Sequence, residues 1–367
     1  MLRYLRLYRT ICRTFGFRLR PVGTFGLIGA QRAVNGVAGA LDHLLYPGFR
    51  QQPLDRPVFV LGNPRSGTTF MHRFLLHTGE LCAFELWEMM FPPIVARRLL
   101  SGLVEHLAPL SPGRYHSADA HEAGVRDVET DDAAVFLHFV EGGFLWSYFL
   151  AWEDTWGSEL TRRYFFERGP RALPAEDPMF RFLEACWRRN LQYKRKARII
   201  VKSSVFSLRV EELVRRYPDC RILYLVRDPV EAIPSGMSLL TGVLERSYDL
   251  ERSTSAEARR RYLENLYQAS CHMYAAFHDS LAAGAIPERN LRIVPYPRIM
   301  GELRPTIESL LPFLEIEPTP DFAARLEQQD REQKIRRSRH SYDLARFGLS
   351  AERIRSDLAF VYQAYGL

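Results

Sequence analysis

Eight consecutive residues, Gly62-Asn63-Pro64-Arg65-Ser66-Gly67-Thr68-Thr69, bring together the parts of an anion site. They follow an apolar run over residues 57–62 that reads as a short buried strand. They open a helical pattern that runs from Thr68 to about His77 and stops at Gly79. The first turn of a helix leaves backbone N–H groups without intrahelical partners, and the helix dipole favours negative charge there. Thr68 and Thr69 add hydroxyl donors, and Arg65 adds charge. The arrangement is like a phosphate-binding loop, but it lacks the lysine of G-x-x-x-x-G-K-[ST], which argues against an ordinary kinase or NTPase.

Two more polar clusters sit where strands should end. The run 221–226 reads as a strand that stops at Arg227-Asp228-Pro229, and Ser235 lies about two helical turns further on. Together Arg227 and Ser235 could hold a second anionic group. Residues 197–201 read as another strand, ending at Lys202. Only Lys194, Lys196, Lys202 and Lys334 are lysines among 50 basic residues. A lysine offers one oxygen a compact charge with three donors, which an arginine cannot imitate. Helical patterns at 178–193, 207–217, from Pro229, at about 255–283 and at 303–314 alternate with these strands and with a last one at Leu291–Val294. Short apolar strands alternating with helices predict an α/β fold, a parallel central sheet flanked by helices. In such sheets ligands bind at the carboxyl ends of the strands.

Pro-Arg-Ser-Gly-Thr-Thr after one strand, then Arg-Asp-Pro after a later strand with serine eight residues beyond the arginine, resembles the sulfotransferase family. The resemblance implies a P-loop-like fold with a helical substrate lobe at about 85–195. It also implies 3′-phosphoadenosine-5′-phosphosulfate (PAPS) as the sulfuryl donor, with the bisphosphate PAP as product. By resemblance Arg65, Ser66, Gly67, Thr68 and Thr69 bind the 5′-phosphosulfate, and Arg227 and Ser235 the 3′-phosphate. Val201-Lys202-Ser203-Ser204, Trp87-Glu88 before Pro92, and His340-Ser341-Tyr342 with Phe347-Gly348-Leu349 before the last helix resemble the branch acting on carbohydrates, lipids and varied small molecules. In that family the segment before the last helix can close over the donor, which makes Arg337 and Arg339 candidate 3′-phosphate contacts. The resemblance spans about residues 55–367.

Sulfuryl transfer depends on positioning and on neutralising charge. Arg65 and Lys202 are the candidate catalytic cations, and two cations make a metal unnecessary. A base must take the acceptor proton. Where many relatives place a histidine soon after the lysine, this chain has Ser203, Ser204, Val205 and Phe206, so the role passes elsewhere. Glu88 is the first choice, where relatives with a glutamate base place it, and Glu85 one turn earlier is its rival. His116, His121 and Glu129 are weaker candidates. The aromatic segment 132–156 and the proline-rich 92–113 are expected to form the acceptor pocket, although any one ring can equally be core.

Composition sets the outer bounds. The 367 residues are 47% hydrophobic and 25% charged, ordinary for a globular chain. Residues 1–50 hold eight arginines and one acid, Asp42, so the whole net charge of +7 lies there and the rest is neutral. The body is therefore not a basic nucleic-acid binder. The expected domains are a basic helical arm over 1–50 and the catalytic domain over 51–367. Leu5, Tyr8, Cys12 and Phe15 share one face of a helix within 1–20. Such a helix suits an anionic membrane surface and equally suits packing on its own domain. Five scattered cysteines without CxxC disfavour a disulfide framework. Without a visible signal peptide or membrane span, the expected location is cytoplasmic, with contact at the inner membrane face through the arm. The expected partner is a lipid, carbohydrate or other small acceptor. A kinase with a degenerate loop, using Asp228 for magnesium, and a non-catalytic nucleotide-binding or membrane-scaffold protein are the competing readings.

Overall fold

A computed structural model describes residues 2–110, 124–139, 142–153, 155–166, 178–335 and 343–367. In chain order the elements begin with α1 (Leu2–Phe15), α2 (Arg20–Leu45), β1 (Val58–Leu61), α3 (Thr68–Leu75), β2 (Leu81–Cys82), α4 (Leu86–Met90) and α5 (Ile94–Leu100). Then come α6 (Asp132–Phe139), α7 (Gly143–Tyr148), α8 (Glu159–Phe165), α9 (Pro178–Lys194), β3 (Arg198–Lys202), α10 (Val210–Arg216) and β4 (Arg221–Val226). The remainder is α11 (Pro229–Tyr248), α12 (Leu250–Ser253), α13 (Ala256–Ala282), β5 (Leu291–Pro295), α14 (Tyr296–Gly301), α15 (Leu303–Leu314), α16 (Pro320–Ile335), α17 (Ala351–Asp357) and α18 (Ala359–Tyr365). Two compact units result. The first comprises 1–53, 84–195 and 237–269; the second comprises 54–83, 196–236 and 270–367.

The second unit holds a five-stranded, wholly parallel sheet in the order β2-β3-β1-β4-β5. Its central strands are nearly continuous runs of Val, Ile, Leu and Phe, buried except at Arg221, which opens β4, as strands covered on both faces must be. The chain leaves β1 toward β2 and β3 on one side and reaches β4 and β5 on the other. The loop after β1 therefore sits where strand order reverses, the usual ligand position in such sheets. The register sets Val60 beside Lys202, and Leu61 beside Tyr224, so the three polar strand ends lie side by side.

The first unit is helical. Asp42 of α2 is fully buried; its carboxylate accepts from the N–H groups of Ile94 (2.9 Å) and Val95 (2.9 Å) at the start of α5 and from Arg189 Nε of α9 (2.7 Å). Trp146 and Trp152 are buried; Trp152 stacks on Tyr262 with centroids 3.9 Å apart, and Trp146 packs on Phe165. These two rings are core rather than pocket lining, because burying a large aromatic surface outweighs keeping it open for a ligand. In α1 the buried face is Leu7, Ile11 and Phe15, not the stripe through Leu5 and Tyr8; Leu5 is exposed. Phe15 stacks on Tyr248, 4.6 Å between centroids. The two-residue β2 is absent from the pattern-based reading, being too short for a period, while α2 falls within the expected helical arm although its glycines obscure its bounds.

Candidate functional site

The second unit's site is built on the turn after β1. Gly62 adopts φ 138°, and a Cβ there would collide with the Leu225 carbonyl of β4. Only glycine lets the two strands stay in register at this point. Gly62 N donates to Ser207 Oγ (3.1 Å), and Asn63 Nδ2 donates to the Ser270 carbonyl (3.0 Å), which pins the turn. Arg65 sits in the left-handed region at φ 72°, a strained position for a side-chain-bearing residue that functional turns often retain. Gly67, at φ 89°, is the N-cap of α3, and no side chain caps that helix end. A Cβ on Gly67 would lie 3.0 Å from the Tyr296 ring. The result is a helix start closely walled by the Tyr296 ring, with Thr68 and Thr69 in its first turn.

The cations converge on this turn. Arg65 Nε donates to Ser235 Oγ (3.0 Å), so the first cluster and the serine of the second meet. Arg227 Nη1 donates to the Arg65 carbonyl (3.1 Å), and its guanidinium lies over the Tyr296 ring, 4.4 Å from the centroid. The other edge of Arg227 holds Glu231 Oε2 through Nε (3.0 Å) and Nη2 (2.8 Å). Lys202 is nearly buried, and its Nζ donates to Thr69 Oγ1 (2.8 Å). Asp228 caps α11 through the Val230 N–H (2.9 Å) and also accepts from Tyr362 Oη (2.7 Å). Burial and the Asp228 carboxylate push the Tyr362 hydroxyl well above its ordinary range, so it stays a donor. Tyr274 Oη donates to the Arg227 carbonyl (3.1 Å).

Sequence reasoning selected Arg65, Thr69, Lys202, Arg227 and Ser235; Arg65 contacts both Ser235 and Arg227, and Lys202 contacts Thr69. It did not select Tyr296, Tyr274 or Glu231. Tyr296 follows β5 directly, so the strand-end logic that found Lys202 and Arg227 would have found it too. Tyr274 is an unremarked position in a long helix. Ser66 is fully buried, and its backbone N–H bonds to the Asn63 carbonyl (3.2 Å), within the turn itself.

The two glutamates belong to the first unit and differ sharply. Glu88 is buried; its Oε2 accepts from Lys194 Nζ (2.8 Å) and the Glu85 N–H (2.8 Å), and Arg97, fully buried, lies 3.9 Å from Oε1. Glu85 is only half-buried and accepts from Trp87 Nε1 (2.8 Å). Burial first, then the neighbouring Glu88 charge, raises its carboxyl above the ordinary range. The pair forms a capping box at the start of α4. Glu129 is also buried. Arg337, Arg339, His340-Ser341-Tyr342, His116 and His121 lie outside the described residues.

Residues 57–321 match the family model described as "Sulfotransferase family". Curated relatives from Mycobacterium bovis and Mycobacterium tuberculosis, named omega-hydroxy-beta-dihydromenaquinone-9 sulfotransferase Stf3, are 23% identical over 206 residues, 54% of this chain. The chain spans about half the length of these relatives, 49%. Among solved structures, sulfotransferase STF9 from Mycobacterium avium superposes with a TM-score of 0.68 at 17% identity, covering 89% of this chain and 81% of that one. Sulfotransferase STF1 from Mycobacterium tuberculosis H37Rv gives 0.64 at 15% identity, covering 97% and 92%. At these identities the likeness is one of fold.

Proposed function

The chain belongs to the sulfotransferase family, and we propose that it moves a sulfuryl group from PAPS to the hydroxyl of an apolar, lipid-like acceptor. The observation that carries this reading is the convergence of Arg65, Ser235 and Arg227 on one turn at the strand-order reversal. Three features of that cradle fit a bisphosphorylated nucleotide. An uncapped helix start offers N–H groups, the Thr69 hydroxyl and Lys202 ammonium stand together, and Arg227 already grips a carboxylate where a phosphate would compete. The donor supplies an S–O bond activated by its phosphate leaving group.

This chain's residues have distinct tasks in that transfer. Arg65, Thr68 and Thr69 bind the 5′-phosphosulfate oxygens. Lys202 neutralises charge that develops on the departing oxygen, where a preorganised cation is worth most. Arg227 and Ser235 hold the 3′-phosphate, with the Tyr296 ring fixing the plane of the guanidinium. The acceptor's proton passes to a carboxylate, and Glu85 suits this better than Glu88. Glu85 reaches solvent and has its basicity raised, whereas the Glu88 carboxylate is already engaged by Lys194 and faces buried Arg97. A lipid-like acceptor is supported by the relatives named for a menaquinone derivative. Against the kinase reading, Asp228 Oδ1 already accepts from the Val230 N–H and from Tyr362.

A thermal-shift titration tests the donor. Adenosine 3′,5′-bisphosphate should raise Tm, and Arg227→Ala should weaken that binding by about 10–150-fold, the loss of a charge-assisted hydrogen bond. Glu231→Gln should tighten it by removing the internal competitor. A preference for ATP with magnesium would overturn the reading.

A further inference from the structure

Helix α2 is built inside out. Polar residues take much of its inward face: Gln31 and Asn35 both donate to the Met90 carbonyl, the latter at 2.8 Å, and buried Asp42 caps α5 and pairs with Arg189. One outward face, by contrast, is apolar along its length. At 3.6 residues per turn, Val22, Leu27, Val34, Val37, Leu41, Leu44 and Leu45 fall within one arc of about 140°. All seven are exposed, Leu44 by 75% and Val37 by 66%. The positions between them on that arc are Gly23, Gly26, Ala30, Ala33 and Ala40, all exposed as well. From Val22 to Leu45 the arc carries no charged or hydrogen-bonding side chain, over about 36 Å of helix. A helix facing water shows the opposite pattern, and an exposed apolar strip of this length marks an interaction surface.

The surroundings select the occupant. Phe17 (74% exposed) and Leu19 (69%) extend the strip at the N-terminal end of α2. Next to it stands α1, joined through Tyr4 against Phe25 and Arg32 Nη1 to Tyr4 Oη (3.0 Å). It presents exposed Arg6, Arg9 and Arg13, with Arg20 at the start of α2. The single acid of the first 50 residues, Asp42, is buried. A second copy docked strip to strip would bring two arginine-rich arms together; Arg13 is offset by Glu153 at 3.0 Å, but Arg6 and Arg9 stand exposed on each copy. Hydrocarbon beside anionic headgroups meets both needs, since the apolar strip enters the acyl boundary and the arginines meet the headgroup charge. The helix need not cross: among the described residues no helix is long and apolar enough to span a membrane.

We propose that the outward face of α2, flanked by the arginines of α1, seats the protein in the plane of an anionic lipid surface. This does not depend on which reaction the second unit performs. The test is flotation of the full-length protein with vesicles of phosphatidylcholine containing 30% phosphatidylglycerol, and with phosphatidylcholine alone. Wild type should float with the anionic vesicles at least tenfold more than with the neutral ones. Leu27→Glu/Val37→Glu/Leu44→Glu should stay in solution with an unchanged Tm, since each replaced side chain already faces outward. Arg6→Glu/Arg9→Glu should lose the preference for anionic vesicles while the strip is intact. Wild type that never floats would overturn the proposal. So would a wild-type dimer in light scattering that the triple variant converts to monomer without any vesicle binding.

Discussion

At the scale of single residues, the informative contrast is between two glutamates three positions apart. Glu88 is buried and Glu85 only half-buried, and their neighbours differ. Glu88 faces an ammonium at 2.8 Å and a buried guanidinium at 3.9 Å. Removing its charge leaves Arg97 buried without a counter-ion, a loss that typically costs about 3–5 kcal/mol. Glu85 is held above the ordinary carboxyl range by burial and by Glu88. A raised folded pKa favours the protonated form, so the carboxylate is a liability to the fold once pH exceeds that pKa. Below the unfolded value both states are neutral and the liability is gone. Glu85→Gln should therefore raise Tm at pH 7 and converge with wild type below about pH 4, while kcat/KM falls by about 10²–10⁴-fold. Glu88→Gln should lower Tm at pH 7. Paired melting and turnover measurements separate the two, and turnover surviving in Glu85→Gln would remove it as the base.

At the scale of elements, stability of the first unit turns on a side chain that joins three helices. α5 has no capping side chain of its own; Pro93 stands at its N-cap. Asp42, reaching from α2, accepts from both N–H groups there and from Arg189. Asp42→Ala orphans one buried and one part-buried donor and leaves a nearly buried guanidinium without its partner. Urea unfolding should show a loss of about 3–5 kcal/mol; a loss under 1 kcal/mol would mean the three helices hold together without it. Nothing near Asp42 in the sequence announces this, because its partners lie 52, 53 and 147 positions away. The sheet was far more legible. β1, β3 and β4 lie where apolar runs end in polar residues, since a strand buried on both faces has to be apolar and its ligand end has to stop being so; β5 is legible from its short apolar stretch. That same rule located Arg65, Lys202 and Arg227. It could not locate Tyr274, which reaches the site from the interior of α13, or tell Glu85 from Glu88, because their difference rests on Lys194 and Arg97, far along the chain or on another helix.

At the scale of the molecule, the two units carry different reporters and different acid sensitivity. All five tryptophans, Trp87, Trp146, Trp152, Trp156 and Trp187, belong to the first unit. Tryptophan fluorescence therefore follows that unit alone, while circular dichroism follows both. The first unit also contains His138, buried on α6 with Nε2 2.9 Å from the Met89 carbonyl and its ring 4.7 Å from Phe182. Burial pushes its pKa down to about 4 from the ordinary 6.5. The unfolded chain then binds a proton that the folded one refuses, so stability is lost as pH falls from 6.5 toward 4. At 1.36 kcal/mol per unit, this one ring accounts for about 3 kcal/mol over that window. His43, in the same unit, is shifted the same way, first by burial and then by Arg50, and its surface position makes its share small. Urea transitions at pH 6.5, 5.5 and 4.5 should show the fluorescence midpoint falling with acid. His138→Gln keeps a donor for the Met89 carbonyl but cannot titrate, and should remove most of that slope. An equal slope in the variant would mean that the acid sensitivity comes from the arginine-rich arm, whose self-repulsion grows as neighbouring carboxylates are neutralised.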